Sequence, residues 1–435
     1  MGLWVFLLAT LSDTRYIVPT ADVAPNRYRA GIPGLLLALL GCCCTLRGQI
    51  NPGLTLHDAV DRALHSSQAA VFDAEVEQAQ GMVRQSGLGP NPKLYLQSED
   101  LRPWADNFNF SDQTEDYAYI GQTIEISGKR SKRVAFAKAR LQQIEADRVL
   151  KTRQLIGRIT AAYWMAISQQ RIAELLKEDM TAVDEIVRYN RERVDAGAMK
   201  GVDLLRMQIE RDRLEIALKT AERDATQSRL DLFKQMGSPA SEVKLIDPLD
   251  GQKPVAQVEM ESVLAARADI LSARAAVETA QADLKLQQAI ARPDPDLFGG
   301  YKRNNSDNTG YGGLQISLPV RNRNQGEIDR ARAAITAAEA QLAAIQQQAR
   351  TEVEQSYKNY MTQREIVEKT LPDMRQHAKQ NLDIVREAYR IGGADLLRLI
   401  DAERTEFDVE VTAVRAMAQL RQNAMQLQLT YGVQP

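Results

Sequence analysis

The chain is written twice, and this limits its folds more than any other feature does. Pro90-Asn91-Pro92-Lys93-Leu94 returns as Pro293-Asp294-Pro295-Asp296-Leu297, an offset of 203 residues. Ile124, followed by Ala139-Arg140, returns as Ile316 and Ala331-Arg332, and Gly201-Val202-Asp203-Leu204-Leu205-Arg206 as Gly393-Ala394-Asp395-Leu396-Leu397-Arg398, both offset by 192. The difference of eleven residues places an insertion in the first half between Pro92 and Ile124. Such repetition marks an architecture assembled from like units. Each half reads as helix, short strand, loop, short strand, very long helix, glycine-containing turn and long helix. The halves run over 54–238 and 258–432. The 239–257 linker holds Pro239, Pro248 and Pro254, which exclude a continuous helix.

The strands alternate with period two. Lys93 to Asp100 sets Leu94 and Leu96 against Tyr95, Gln97 and Glu99. Tyr117 to Ile126 sets Ala118, Ile120, Ile124 and Ile126 against Thr123 and Glu125, and in the second half Leu314, Ile316 and Leu318 oppose Gln315 and Ser317. One apolar face suits a half-buried hairpin, and equally a barrel strand between lipid and water. On the barrel reading Ile120, Ile124, Leu314 and Ile316 face lipid. The connecting segments Arg102–Asp116 and Lys302–Gly310 are then wet loops at the outer mouth.

The helices carry the other half of the pattern. From Gly326 to Thr370, apolar residues at Ile328, Ala331, Ile335, Ala338, Leu342, Ile345, Ala349 and Val353 form a narrow, alanine-rich seam. The remaining faces are polar, so such a helix needs lateral partners and water. Pro372 predicts a break or bend in the second-half helix, whereas the first-half counterpart around Lys177–Met180 has no proline. With 6% aromatic and 26% charged residues, the composition fits long exposed helices and not one thick core. Net charge is −2, without a basic stripe, which excludes nucleic acid as a natural partner.

The leader points to export. Leu35 to Leu40 is an apolar run behind Arg27 and Arg29, too short to span a bilayer and suited to a secretory signal. Leu39-Leu40-Gly41-Cys42 resembles a bacterial lipobox, which makes Cys42 the lipidation candidate and 1–48 a leader. Ordinary cleavage between Gly41 and Gln49 is the alternative. After Cys42, Cys43 and Cys44 no cysteine follows, so the rest of the chain has no disulfide or thiolate site. An exported chain without a transmembrane helix spans a membrane only as a closed barrel. Four strands are too few, since about eight is the smallest membrane barrel. Several copies must therefore combine.

Leu54-Thr55-Leu56-His57-Asp58-Ala59-Val60, with Ala63-Leu64, resembles the opening signature of the TolC family of outer-membrane efflux ducts. Pro90-Asn91-Pro92 and the post-strand turn Gly128-Lys129-Arg130 resemble its CzcC-like heavy-metal branch more than TolC itself. The resemblance runs from Leu54 to Gly432. It implies a mainly α homotrimer with a small shared β-barrel, four strands per subunit, in the outer membrane, and a helical tunnel in the periplasm. It also implies a periplasmic adaptor, an inner-membrane RND-type pump, and passive export with heavy-metal cations as one cargo class. Asp203, Asp395 and Tyr389 become periplasmic gate candidates. The second turn, Gly392-Gly393-Ala394-Asp395, is shortened. It lacks the arginine that TolC has before the Asp, and Arg398 replaces an acidic residue. Threefold symmetry would make each Asp a ring of like charge that favours cations; helix capping is the plainer role.

No catalytic or cofactor constellation is present in this pattern. His57, Asp58 and Asp61 come nearest to a metal set, yet a solvated helix face explains them, and His65 and His377 stand apart. Gly128-Lys129-Arg130 lacks phosphate-loop spacing. Its glycine suits a sharp strand-to-helix turn, and its cations suit the membrane–periplasm boundary. A periplasmic coiled-coil adaptor or scaffold without a channel is the competing function. It explains the heptads but not two duplicated strand pairs.

Overall fold

The computed structural model describes residues 53–304 and 307–432. The leader, including Cys42, lies outside the described residues.

Thr55 and Asp58 start the first helix reciprocally. The Thr55 hydroxyl accepts from the Asp58 N–H at 3.1 Å, and the Asp58 carboxylate accepts from the Thr55 N–H at 3.3 Å. Helices α1 (Leu56–Leu64) and α2 (Ser67–Ser86) lead into strand β1 (Lys93–Glu99). A short helix α3 (Phe110–Gln113) precedes β2 (Glu115–Thr123), and α4 (Lys129–Asp195) then runs unbroken for 67 residues. It turns through Gly197, at φ 72°, into α5 (Gly201–Met236). The second half repeats this plan with α6 (Met260–Ala266), α7 (Ala268–Ile290), β3 (Pro295–Asn304), β4 (Asp307–Ile316) and α8 (Gln325–Glu365). Helices α9 (Leu371–Arg390) and α10 (Leu396–Thr430) follow. As the sequence suggests, Pro372 marks a discontinuity. It takes the form of a five-residue π turn, Ile366–Thr370, immediately before it. Proline offers no N–H to the preceding turn, and the wider π turn absorbs the missing bond without stopping the helix.

The two largest buried clusters fall one in each half, and smaller ones, such as Ile172 and Leu176 with Val411 and Val414, join the halves along the helices. Leu155, Ile159, Tyr163 and Trp164 of α4 meet Leu232, Phe233 and Met236 of α5. Val353 and Tyr360 of α8 meet Leu420 and Leu427 of α10. In the alanine-rich seam of α8, Ala331, Ala349 and Val353 are buried. The linker is tied down on both sides. Leu54 bridges to Leu245, the buried Tyr163 hydroxyl donates to the Leu54 carbonyl at 2.9 Å, and Arg421 donates to the carbonyls of Pro248, Leu249 and Asp250 while its guanidinium lies 5.1 Å from the Trp164 ring.

The strands form one antiparallel sheet in the order β1-β2-β3-β4, so the central seam joins the two halves. Among the described residues, β1 and β4 each keep one unpaired edge. Two sequence expectations need correction. The second strand is Glu115–Thr123 and not Tyr117–Ile126, which leaves Ile124 beyond its end. The Ile124 N–H still donates to the Pro295 carbonyl, but Asp294 takes the Ile126 N–H, and Ser127 and Gly128 turn left-handed at φ 61° and 67°. The Lys302–Gly310 segment is not a loop. Its described residues are strand, pairing Lys302 with Thr309 and Asn304 with Asp307. Cross-strand charge pairs Lys302–Glu115 and Arg303–Asp116, both 2.6 Å, supply in this polar stretch what apolar alternation supplies elsewhere.

Candidate functional site

The sheet has two chemically distinct faces, fixed by the register. Leu94, Leu96, Ile120, Leu297, Leu314 and Ile316 share one, and all six are exposed in the single chain. This brings three of the four expected lipid-facing residues, Ile120, Leu314 and Ile316, onto one surface. Ile124 has the matching parity but lies past the strand. The other face carries Gln97, Glu115, Lys302 and Gln315 with several tyrosines, and there the Thr123 hydroxyl bonds Asp296.

The post-strand turn is held from the other half. Gly128 caps α4 in a left-handed conformation that few other residues adopt. Lys129, buried despite its charge, reaches Asp294 of the second Pro-x-Pro motif at 2.8 Å. Arg133 grips Glu125 and donates to the carbonyls of Ser86 and Leu88. Arg130 is exposed and enters no such contact among the described residues.

At the far end of the long helices, Asp203 and Asp395 come together. They line one groove of about 370 Å³ with Arg206, Glu210, Arg213 and Leu396. Their local roles differ. Asp395 is the N-cap of α10, its carboxylate accepting from the Arg398 N–H at 3.0 Å, so the capping expectation holds there. Asp203 does not cap: Lys200 holds that position, and Asp203 points toward Arg206 at 3.8 Å. Three carboxylates thus share the groove with two guanidinium groups.

Tyr389 lies elsewhere at this end. Its hydroxyl donates to Asn190 Oδ1 at 3.3 Å, tying α9 to α4. Asn190 is fully buried, and its amide also donates to the Ile186 carbonyl at 3.0 Å. Val187, Met207 and Leu396 surround the pair. Sequence reasoning missed Asn190. The signal was a lone amide continuing the apolar steps Val183, Ile186 and Val187 on one helix face.

Asp179 was also missed. It sits on α4 opposite α9 and α10, lining a cavity of about 700 Å³ with Pro372, Arg375 and Glu406. Burial, then the nearby carboxylates Glu403 and Glu406, pushes it up to about 6. Around it Arg375 pairs with Glu410 and Arg386 with Glu403, leaving Asp179 without a basic partner among the described residues.

The early helix offers no assembled metal set. The Asp58 carboxyl is engaged in the cap, and hydrogen bonds from Thr55 hold it below the usual carboxylate range; His57 points to solvent. Among the described residues no three His, Cys, Asp or Glu side chains are grouped to hold an ion. No described helix is long and apolar enough to cross a membrane.

The described residues thus build two helical hairpins joined to one two-edged sheet with an exposed apolar face. The family model for outer membrane efflux protein matches residues 61–238 and 260–433, and the chain belongs to that family. Its fold is similar to that of the outer membrane protein VceC from Vibrio cholerae, at TM-score 0.71 and 20% identity over 87% of this chain and 96% of that one. It is also similar to the Campylobacter jejuni CmeC outer membrane channel, at 0.74 and 16% over 87% and 85%, and to the open state of the Neisseria gonorrhoeae MtrE outer membrane channel, at 0.73 and 18% over 87% and 89%. No curated protein matches the chain in sequence.

Proposed function

We propose that this chain is the outer-membrane duct of a tripartite efflux system, closed by three copies and conducting cargo passively from periplasm to exterior. The observation that carries this reading is the sheet: four strands, two unpaired edges and one exposed apolar face. Unpaired strand edges are prohibitive in lipid, so β1 of one copy pairs with β4 of the next until a barrel closes. The two repeats each supply one hairpin and one helical pair. The tunnel they line meets a periplasmic adaptor and an RND-type inner-membrane pump at the end holding Asp203, Asp395 and Tyr389. A helical adaptor or scaffold leaves the sheet and its apolar face without a purpose.

Cargo is a separate matter. Pro90-Asn91-Pro92 and Gly128-Lys129-Arg130 favour the heavy-metal branch, with metal ions as cargo that the pump selects and the duct passes on. Lipidation at Cys42 would add a second anchor. Cysteines placed at Leu96 in β1 and Leu314 in β4, with Cys43 and Cys44 changed to serine and Cys42 kept, test closure directly. Oxidation of membranes should give covalent dimers and trimers. Monomers alone, from protein correctly targeted to the outer membrane, would refute the shared barrel.

A further inference from the structure

The polar face of the sheet is not polar throughout. Tyr95, Tyr117, Tyr119, Phe298 and Tyr311 form one connected aromatic panel across all four strands. Tyr95 stacks on Tyr119 with centroids 4.6 Å apart and planes at 11°. Tyr119 meets Tyr311 at 5.7 Å although β3 lies between their strands, because the intervening residue is Gly300. Phe298 is flanked in register by Gly121 and Gly313. A Cβ at Gly313 would fall 2.4 Å from Phe298 Cζ, and one at Gly121 3.1 Å from Tyr95 Cε2. Rings thus fill the space over two of these glycines, Phe298 at Gly313 and Tyr95 at Gly121, while Tyr117 meets Tyr311 edge to face at 85°. Covering glycine with an aromatic ring stabilises strands, which is one reason for the arrangement.

That reason leaves the charge of this face unexplained. By register it carries the carboxylates Glu99, Glu115, Asp296 and Asp307 against Lys93 and Lys302, four against two. One of those cations already uses the panel: Lys302 Nζ sits 4.9 Å from the Tyr117 ring centre while paired to Glu115. Ring faces attract cations electrostatically, most strongly where water is partly excluded. Flat rings under excess negative charge complement a flat ligand with positive charge.

We infer that this panel is a binding station for planar aromatic cations passing through the pore. The station rests on the duct reading, which puts this face on the lumen, and it extends the cargo to organic cations that need no metal ligands. The test uses the full chain in planar bilayers in dilute potassium chloride. N-methylacridinium should interrupt the current at about ten-fold lower concentration than tetraethylammonium, which has the same charge and no ring. Tyr119→Leu with Tyr311→Leu should abolish that preference, while the paired phenylalanine variants keep it. Both variants should still open pores in potassium chloride alone. If the leucine pair forms no pore, Tyr95→Leu at the more exposed end of the panel, 40% accessible, should weaken the preference by itself. Equal potency of the two cations on wild type, or an undiminished preference in the leucine variants, overturns the station and leaves the duct standing. A wild-type protein that never conducts overturns the duct reading, and the station with it.

Discussion

Lys129 Nζ lies 2.8 Å from Asp294 Oδ2, and the other oxygen of that carboxylate accepts the Ile126 N–H at 3.0 Å. One side chain from the second half thus fixes both the cation and the backbone of the first half's exit from the sheet. Its counterpart in the first half is the neutral Asn91, so the repeats have diverged where they touch.

That pair is testable by neutralisation. Asp294→Asn strands a lysine that is only 9% exposed. Breaking a buried pair costs about 3–5 kcal/mol, and residual solvent reduces this to about 2–3 kcal/mol here. Adding Lys129→Met should recover most of the loss in thermal melts of the assembled protein. A double variant no more stable than Asp294→Asn would show that the two groups are not coupled.

The register makes a sharper claim than hydrophobicity alone. Arginine at Ile120, in the middle of the apolar face, should cost about 2–4 kcal/mol near the bilayer midplane. Thr123→Arg should be tolerated, since it points to the polar face beside Asp296. Ile124→Arg should fall between them, because that residue lies beyond the strand. Outer-membrane assembly yield orders the three. Equal loss at 120 and 123 would contradict the two-faced sheet.

At the far end, charge and tether separate into two measurements. Asp203→Asn with Asp395→Asn should lower cation selectivity in single-channel recordings. Asparagine caps about as well as aspartate, so α10 should hold. Because Arg206 and Arg213 share the groove, the change should be modest, and unchanged selectivity would leave Asp395 as a cap alone. Tyr389→Phe instead removes the hydroxyl on Asn190 and should raise conductance at unchanged selectivity. Leaving a buried amide oxygen unpaired costs about 1–3 kcal/mol. Wild-type conductance would show that the tie does not narrow the entrance.

Asp179 predicts a pH dependence. Its folded pKa of about 6 lies above the value of about 4 expected for an unfolded aspartate. The folded state therefore holds this proton more tightly. The contribution to stability is fully present below about pH 4 and is lost as pH rises through about 6. The groups facing Asp179 are Glu403, Glu406 and Glu410 from α10 and Arg375 and Lys379 from α9. Asp179→Asn should flatten the melting profile between pH 4 and 7 and stabilise the neutral form by on the order of 1–2 kcal/mol. A wild-type melting temperature that stays level across that range would rule this out.

The legible parts of this fold were those with a local signal. Period-two strands, the α8 seam and the glycine turns at 197 and 392 each correspond to an observed element. The β3–β4 hairpin was misread because Lys302–Gly310 is polar, and pairing there rests on Glu115 and Asp116 of a distant strand. No local pattern reveals that. Arg421 was invisible for a similar reason: it looks like an ordinary surface residue until the linker is laid against it. Asp203 and Asp395 were found through their repeat, yet their different hydrogen bonds depend on loops of unequal length.

The central seam of the sheet also sets a timetable. Strand β2 ends at Thr123, which pairs with Asp296, 173 residues later in the chain. An isolated two-stranded hairpin is at best marginally stable in water, so β1–β2 gains a lasting partner only after about two thirds of the chain has emerged. Contacts of such long sequence separation form slowly, while the α4–α5 hairpin needs only its own neighbours. The α4–α5 hairpin should accordingly be in place while β1 and β2 are still waiting for β3. For that interval the nascent chain exposes sticky edges that a holding chaperone must keep apart.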